Sequence, residues 1–280
     1  MQLIRYRPAP PLDRYIEWFW WSYRDRPQAH GEHMLPSGCA QLVFLLHEQP
    51  VVCRPSASLE PLAWTGSVVH GPQSSYFRTA AKPKGAAVGV SFRPGAAGAV
   101  LGVPLREFAD RHVGLDAVWG ARAADLRQRL MGATSPQELF RNLETDLGAR
   151  IHRPLLMHPA IAHALASHPS AGTSPATVTS LARASGYSPR HFIALFRAAV
   201  GFAPKHYYRI RRFNAAASSL AAADAAALSQ IAATHGYADQ SHLTREFREF
   251  AGTTPARYAP EDATRPLHHR STHEAQTPGT

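Results

Sequence analysis

Only two cysteines, Cys39 and Cys53, stand among 280 residues, too few for a disulfide framework and without the paired spacing of a zinc site. They are expected to be small buried hydrophobes, the usual place of a free thiol. No stretch approaches the roughly 18 consecutive apolar residues that a membrane span needs. The opening MQLIRYRPAP lacks the apolar core of a secretory signal, so no membrane partner is expected and the expected location is the cytoplasm. No Gly-rich phosphate loop, GxSxG elbow or HExxH pair occurs, and no enzymatic activity is expected. His30, His33 and His47 flank an apparent strand but carry no paired ligand motif, so neither a metal nor a cofactor is expected. Acidic residues are also scarce, 20 against 30 Lys and Arg, which leaves a net charge of +10 and a pI near 10.1. That excess attracts a polyanion, but nucleic acid, an anionic membrane surface and acidic substrates all answer to it equally.

What is present is a globular composition, 45% hydrophobic and 18% charged, long enough for two domains. Residues 1 to about 130 hold short runs such as CAQLVFLL, WTGSVVHGPQ, FRTAAKPKG and GAAVGVSF, bounded by Pro or Gly, which read as strands. Ser135, Pro136 and Glu138 form a helix-start pattern before LFRNLETDLGARI, so a helix closes a first domain over residues 1–150. PAIAHALAS reads as a short helix, residues 168–175 as a polar loop, and residues 261–280 as a disordered tail. The expected fold class is α+β: a β-rich, barrel- or sandwich-like N-terminal domain with flanking helices, then an all-α C-terminal domain over 157–260.

The most informative feature is internal repetition. LARASGYSPRHFIALFRAAVGFAP returns about fifty positions later as IAATHGYADQSHLTREFREFAGTTP. Gly186 matches Gly236 and Tyr187 matches Tyr237; after one extra residue Phe192 matches Leu243, Phe196 matches Phe247, Gly201 matches Gly252 and Pro204 matches Pro255. Each copy reads as a short helix, a Gly-containing turn and a second helix, the sequence form of a helix-turn-helix. In the first copy Phe192, Leu195, Phe196 and Ala199 make the inward stripe, leaving Ser188, Arg190, His191, Ile193, Ala194 and Arg197 outside. In the second, Leu243, Phe247 and Phe250 point inward and Gln240, Ser241, Thr244, Arg245 and Arg248 outward. Such side chains suit base edges and phosphates: Arg with guanine, Gln with adenine, Ser or Thr with either. Residues 170–258 hold ten Lys or Arg against four Asp or Glu, so the basic excess lies with the repeat. The spacer PKHYYRIRRFNAAASSLAAA reads as one helix. Twenty residues at about 1.5 Å rise span roughly 30 Å, close to the ~34 Å between successive major grooves on one face of DNA. Its Lys205, Arg209, Arg211 and Arg212 are open to phosphate contact or internal pairing alike.

Residues 157–260 resemble the AraC/XylS family of bacterial transcription regulators, with the family's spacing through LARASGYSPRHFIALFRAAVGFAPKHYYRIRRFNAAASSL and LSQIAATHGYADQSHLTREFREFAGTTPARYA. The resemblance implies two helix-turn-helix subdomains joined by a long helix, contacting double-stranded DNA in consecutive major grooves. It places base contacts at Arg190, Ile193, Ala194, Gln240, Ser241, Thr244 and Arg245. Ile193 and Ala194 stand where polar readers are common in the family, which points the first helix toward thymine methyls or backbone holding. A DNA-repair module with reactive cysteines accompanies this domain in some proteins, but the four-cysteine or Pro-Cys-His site it needs is missing here. LPSGCAQLVFLL, GPQSSYF, GVSFRPGAAGAVLGVPLREF and VWG resemble the N-terminal domain of a subset of the family, implying a sensing or dimerising role. The expected further partners are RNA polymerase, a small-molecule effector and a second copy of the chain; a ligand-independent module whose first domain only dimerises or binds a protein stands as the alternative. Trp18, Trp20, Trp21 and Tyr23, in the run WFWWSY, are the candidate walls of an effector pocket, with core packing as the other use of such aromatics.

Overall fold

The computed structural model describes residues 1–28, 30–56, 60–151, 157–166, 177–222, 228–260 and 265–270. Among these, ten strands lie in the first 114 residues: β1 (Gln2–Tyr6), β2 (Ile16–Arg24), β3 (Glu32–Met34), β4 (Gln41–Leu45), β5 (Val51–Pro55), β6 (Leu62–Trp64), β7 (Ser67–His70), β8 (Phe77–Thr79), β9 (Gly85–Phe92) and β10 (His112–Gly114). An eleventh, β11 (His268–Arg270), comes from the far end of the chain. They form two antiparallel sheets in the orders β1-β2-β9-β4-β7-β10 and β11-β3-β8-β5-β6. The runs read as strands in the sequence supply β4, β7, β8 and β9.

Because successive side chains of a strand leave opposite faces, register decides what each residue touches. Trp18 pairs with Ser91, Trp20 with Gly89, Ser22 with Ala87 and Arg24 with Gly85, and Gln41, Val43 and Leu45 continue the same rows into β4. These rows wall a cavity of about 440 Å³ between the sheets. A Cβ on Gly89 would run into the Trp20 indole, so only glycine lets that ring lie on the sheet. The alternate residues Phe19, Leu42, Phe44, Val88, Val90 and Phe92 face away and are buried against helices, each worth about 1.5–3 kcal/mol when fully removed from water.

Those helices are α1 (Ala97–Leu101), α2 (Asp116–Trp119), α3 (Ala121–Met131) and α4 (Pro136–Arg150). Leu126 and Leu130 of α3 and Leu139, Phe140, Leu143 and Leu147 of α4 complete the core. The first three occupy a stretch that the sequence presents as mainly strand; Gly95, Gly102, Pro104 and Gly120 cut it too finely for a helical period to show. At α4, Ser135 Oγ accepts the Glu138 N–H at 3.3 Å while the Glu138 carboxylate accepts the Thr134 N–H at 2.8 Å, so the reciprocal bond closes one residue before the cap.

The remaining helices are α5 (Pro159–Ala166), α6 (Val178–Ala184), α7 (Pro189–Val200), α8 (Pro204–Ala222), α9 (Leu228–Thr234) and α10 (Gln240–Ala251). They bury two cores that share α8. Tyr207 joins Ile161, Leu181, Phe192, Phe196 and Val200, whereas Ile210, Phe213 and Ala217 join Ile231, Leu243, Phe247 and Phe250. Leu35 of the first domain belongs to the second of these cores. The polar loop expected at 168–175 lies outside the described residues, as do 261–264 and 271–280. Residues 265–270 depart from the disordered tail expected of them. Here β11 pairs with β3, His268 opposite Met34 and Arg270 opposite Glu32, and partners supplied by a distant strand are invisible to local composition. Among the described residues no helix is long and apolar enough to cross a membrane.

Candidate nucleic-acid interface

The two copies of the repeat fold alike down to their turns. Gly186 and Gly236 take φ of 73° and 70°, in the left-handed region that glycine enters without strain. The next residues, Tyr187 and Tyr237, donate N–H to Ala182 O (3.0 Å) and Ala232 O (2.9 Å). Each second helix then starts on a side-chain cap: Ser188 Oγ accepts the His191 N–H at 3.3 Å, and Asp239 Oδ1 accepts the His242 N–H at 2.7 Å. In α7, Phe192, Phe196 and Val200 are buried and Leu195 and Ala199 half-buried. Ser188, Arg190, His191, Ala194 and Arg197 are exposed and Ile193 is half-buried. In α10, Gln240, Ser241, Arg245 and Arg248 are exposed, and the half-buried Thr244 gives its hydroxyl proton to Gln240 O at 2.9 Å. Arg190, Arg197, Arg245 and Arg248 form no ion pair with a described residue, which keeps their guanidinium donors available to an outside acceptor.

The spacer arginines divide. Arg209 Nε reaches Glu246 Oε1 at 2.9 Å and its Nη2 reaches Glu249 Oε2 at 2.5 Å; Arg212 Nη2 meets the same Glu246 oxygen at 2.6 Å and its guanidinium lies 4.4 Å from the Tyr237 ring centroid. These two pair internally, whereas Lys205 is exposed and Arg211 half-buried. The Glu249 hydrogen bond, with help from Glu246, raises the Arg209 pKa further above its ordinary value. Glu246 is 2% exposed, a buried carboxylate tolerable only because two arginines share it. Sequence reasoning missed it, although Leu243, Glu246, Phe247 and Phe250 follow the i, i+3, i+4, i+7 spacing of one face.

Both α7 and α10 end against the β-rich N-terminal region. Gly201 and Gly252 cap them in left-handed conformations, φ 97° and 66°. A Cβ on Gly201 would stand 2.7 Å from Pro72 Cγ, and one on Gly252 would meet the Tyr76 ring. Pro72 and Tyr76 belong to a single loop, residues 71–76, between β7 and β8. Asp110 holds that loop, its N–H donating to Pro72 O at 2.9 Å and its carboxylate accepting the Ser74 N–H at 2.5 Å. The same loop presents Gly71 and Gln73 to the cavity.

Of the aromatics in the WFWWSY run, strand alternation sends only Trp18 and Trp20 to the cavity. Trp21 packs at the edge of the helix-covered core and Tyr23 stacks on it with centroids 6.2 Å apart. Trp64, Phe77 and His70, which the sequence did not single out, complete the wall. His33 is buried with Nδ1 3.0 Å from Ala251 O, His47 lines the cavity, where burial lowers its pKa, and His30 is half-buried. Among the described residues no three His, Cys, Asp or Glu side chains converge as a metal group. Cys39 lines the cavity and Cys53 is buried; burial pushes both thiols up to about 12, far from the thiolate that chemistry needs.

Two capped helix-turn-helix units hung on one helix make a DNA-binding module. Residues 181–260 match a family model described as a helix-turn-helix domain, and residues 4–114 match one described as a domain of unknown function (DUF6597). Over 92 residues the chain is 36% identical to the probable transcription factor PqrA of Proteus vulgaris, a match covering 33% of this chain and 74% of that protein. The chain belongs to the AraC/XylS family of DNA-binding transcription regulators. Similar solved structures include apo ToxT from Vibrio cholerae, 12% identical, covering 85% of this chain and 95% of that one with a TM-score of 0.47. The AraC-like transcriptional activator CuxR is 14% identical, covering 75% and 78% with a TM-score of 0.34.

Proposed function

We propose that this regulator reads two adjacent major-groove segments of double-stranded DNA with α7 and α10, under the control of a small organic effector held between its sheets. Residues 1–150 form the regulatory domain and residues 157–260 the DNA-binding domain, working in the cytoplasm. The observation that carries the DNA reading is the outward face of each of these two helices, exposed and with arginines that pair with no carboxylate among the described residues. Arg190 and Arg197 with Ser188 and His191 serve α7, where Ile193 and Ala194 offer only apolar contact, suited to a thymine methyl. Gln240, Ser241, Thr244, Arg245 and Arg248 serve α10.

Arg245→Ala is expected to weaken specific binding by about 1–3 kcal/mol and to relax base choice at one position. Footprinting and titration on sites selected from a random pool check it at fixed salt; an unchanged site preference removes Arg245 from the readers. Effector control is supported by the loop 71–76, which touches the cavity on one side and the ends of both recognition helices on the other. A metabolite panel is expected to yield a compound that raises the unfolding temperature and shifts DNA affinity. A panel without any stabilising compound would leave the first domain to dimerisation or partner binding.

A further inference from the structure

Inside the cavity, uncharged hydrogen-bonding side chains gather in one cross-strand row. Trp18 stands opposite Ser91, Ser91 opposite Gln41 and Gln41 opposite His70, and all four line the cavity. Side chains paired in this way lie about 4.5–5.5 Å apart at Cβ, so Ser91, Gln41 and His70 make a continuous polar band across three strands. Burial, with His112 beside it, keeps the His70 pKa well below the ordinary 6.5, so the ring is neutral at pH 7. Its Nδ1 lies 2.5 Å from His112 Nδ1, where one ring donates and the other accepts. Charge stands elsewhere. Arg24, three same-face steps and about 20 Å along β2 from Trp18, pairs with Glu32, as Lys82 does.

A fourth polar side chain decides what this end of the cavity can receive. Gln73, three residues beyond His70, is 8% exposed and lines the cavity. Its Nε2 donates to Gly71 O at 3.0 Å and to Arg111 O at 3.4 Å. Both neighbours are carbonyls, which only accept, so the amide cannot turn over and its oxygen is the end left over. Neither that oxygen nor the hydroxyl of Ser91, 6% exposed, hydrogen-bonds to a described residue. Buried polar atoms are as a rule paired, and an amide oxygen pairs only with a donor. Ser91 and Gln41 can in turn give a proton. A hydroxyl group answers both demands at one atom, because it donates and accepts, whereas an aromatic N–H only donates.

Aromatic rings border the band. Trp64 meets His70 edge-on with centroids 5.0 Å apart, and Phe77 stacks on it at 5.7 Å. One row along, the Trp20 ring lies over the bare Cα of Gly89. A flat aromatic body makes ring contacts with such walls that a saturated body of similar size does not. We propose that the cavity takes a neutral phenol, whose hydroxyl donates to Gln73 Oε1 and accepts from Gln41 or Ser91 while its ring lies among Trp20, Trp64 and Phe77. This rests on the effector reading above and adds the ligand class and the atom that selects it. The acceptor belongs to the loop of residues 71–76, so the bond that recognises the ligand forms on the segment lying against the ends of α7 and α10.

The test titrates two series of probes into the full chain at pH 7 by calorimetry. One is 2-naphthol with 2-fluoronaphthalene, 2-naphthoate and decahydro-2-naphthol; the other is 4-methylphenol with 4-fluorotoluene, 4-methylbenzoate and 4-methylcyclohexanol. Within each, the partners keep the size while removing the hydroxyl, adding a charge or saturating the ring. In at least one series the phenol binds tightest, about fivefold or more ahead of the fluoro compound, as a neutral hydrogen bond to a buried acceptor gives. Gln73→Leu abolishes that lead and leaves the affinity for the fluoro compound in place. Circular dichroism verifies folding; should Gln73→Leu fail to fold, the Gln41→Leu/Ser91→Ala double variant is expected to reduce the lead. A lead that survives these substitutions overturns the assignment of the polar atoms. Fluoro compounds, carboxylates or saturated alcohols that bind as tightly as the phenols overturn the ligand class while leaving an effector site standing. Failure of all eight probes overturns the proposal outright, and the broader metabolite panel then decides the effector reading separately.

Discussion

At equivalent positions the two helix-turn-helix units differ on both faces of their second helices. Outward, α7 carries Arg190, Ile193, Ala194 and Arg197 where α10 carries Ser241, Thr244, Arg245 and Arg248. Inward, the half-buried Leu195 stands where α10 buries Glu246. The first unit is held to the spacer helix by apolar contact among Phe192, Phe196, Val200 and Tyr207. The second adds ion pairs from Glu246 to Arg209 and Arg212, which fix direction as well as distance because a planar guanidinium meets a carboxylate in few geometries. One backbone pattern is thus stabilised by two kinds of contact, and the second adds a directional constraint between α10 and the spacer helix.

Three measurements press on that contrast. The largest effect is expected where the units are alike: Phe196→Ala and Phe247→Ala, both in fully buried rings, each cost about 3–5 kcal/mol in urea unfolding. A markedly smaller loss for Phe247→Ala would mean that the ion pairs, and not the apolar core, carry the second unit. Next comes Glu246→Leu, which gives α10 the residue of α7. Arg209 and Arg212 keep 30% and 28% of their side chains in water, so part of their charge is solvated and the expected loss is about 1–2 kcal/mol. A raised unfolding midpoint would show that the buried carboxylate costs stability.

The smallest effect concerns His235, bonded to Ser219 Oγ at 2.9 Å, where the first unit has Ser185. Burial lowers its pKa below 6.5, so the unfolded chain takes up the proton more readily than the folded one. Its contribution is complete above pH 6.5 and falls away as the pH drops, by less than about tenfold in the unfolding constant per pH unit. Unfolding followed from pH 7 to 5 is expected to show a shallower pH dependence for His235→Ser than for the parent chain; identical slopes would leave the two units equally sensitive to acid.

How much of this was legible in the sequence follows from range. The repeat, the turn glycines and the Ser135 cap depend on residues within a few positions of each other, so local spacing displays them. The inward and outward faces of α7 and α10 could be read the same way, except that Glu246, a charge on the apolar face, was assigned to neither. The cavity could not be read, since it arises from pairings such as Trp20 with Gly89 that join positions far apart in the chain. Alternation then separated Trp18 and Trp20 from Trp21 and Tyr23, which the aromatic run had presented as one group. β11 was hidden for the same reason: its hydrogen-bonding partner lies more than two hundred residues away.

The loop of residues 71–76 has a consequence for the DNA itself. Pro72 lies against the end of α7 and Tyr76 against the end of α10, so a displacement of that loop would press on both helices at once. On the function proposed above, a signal arriving there would change the distance and phase between the two stretches of duplex that α7 and α10 contact. Operators lengthened or shortened by one base pair between their halves would then rank differently in the two states of the protein.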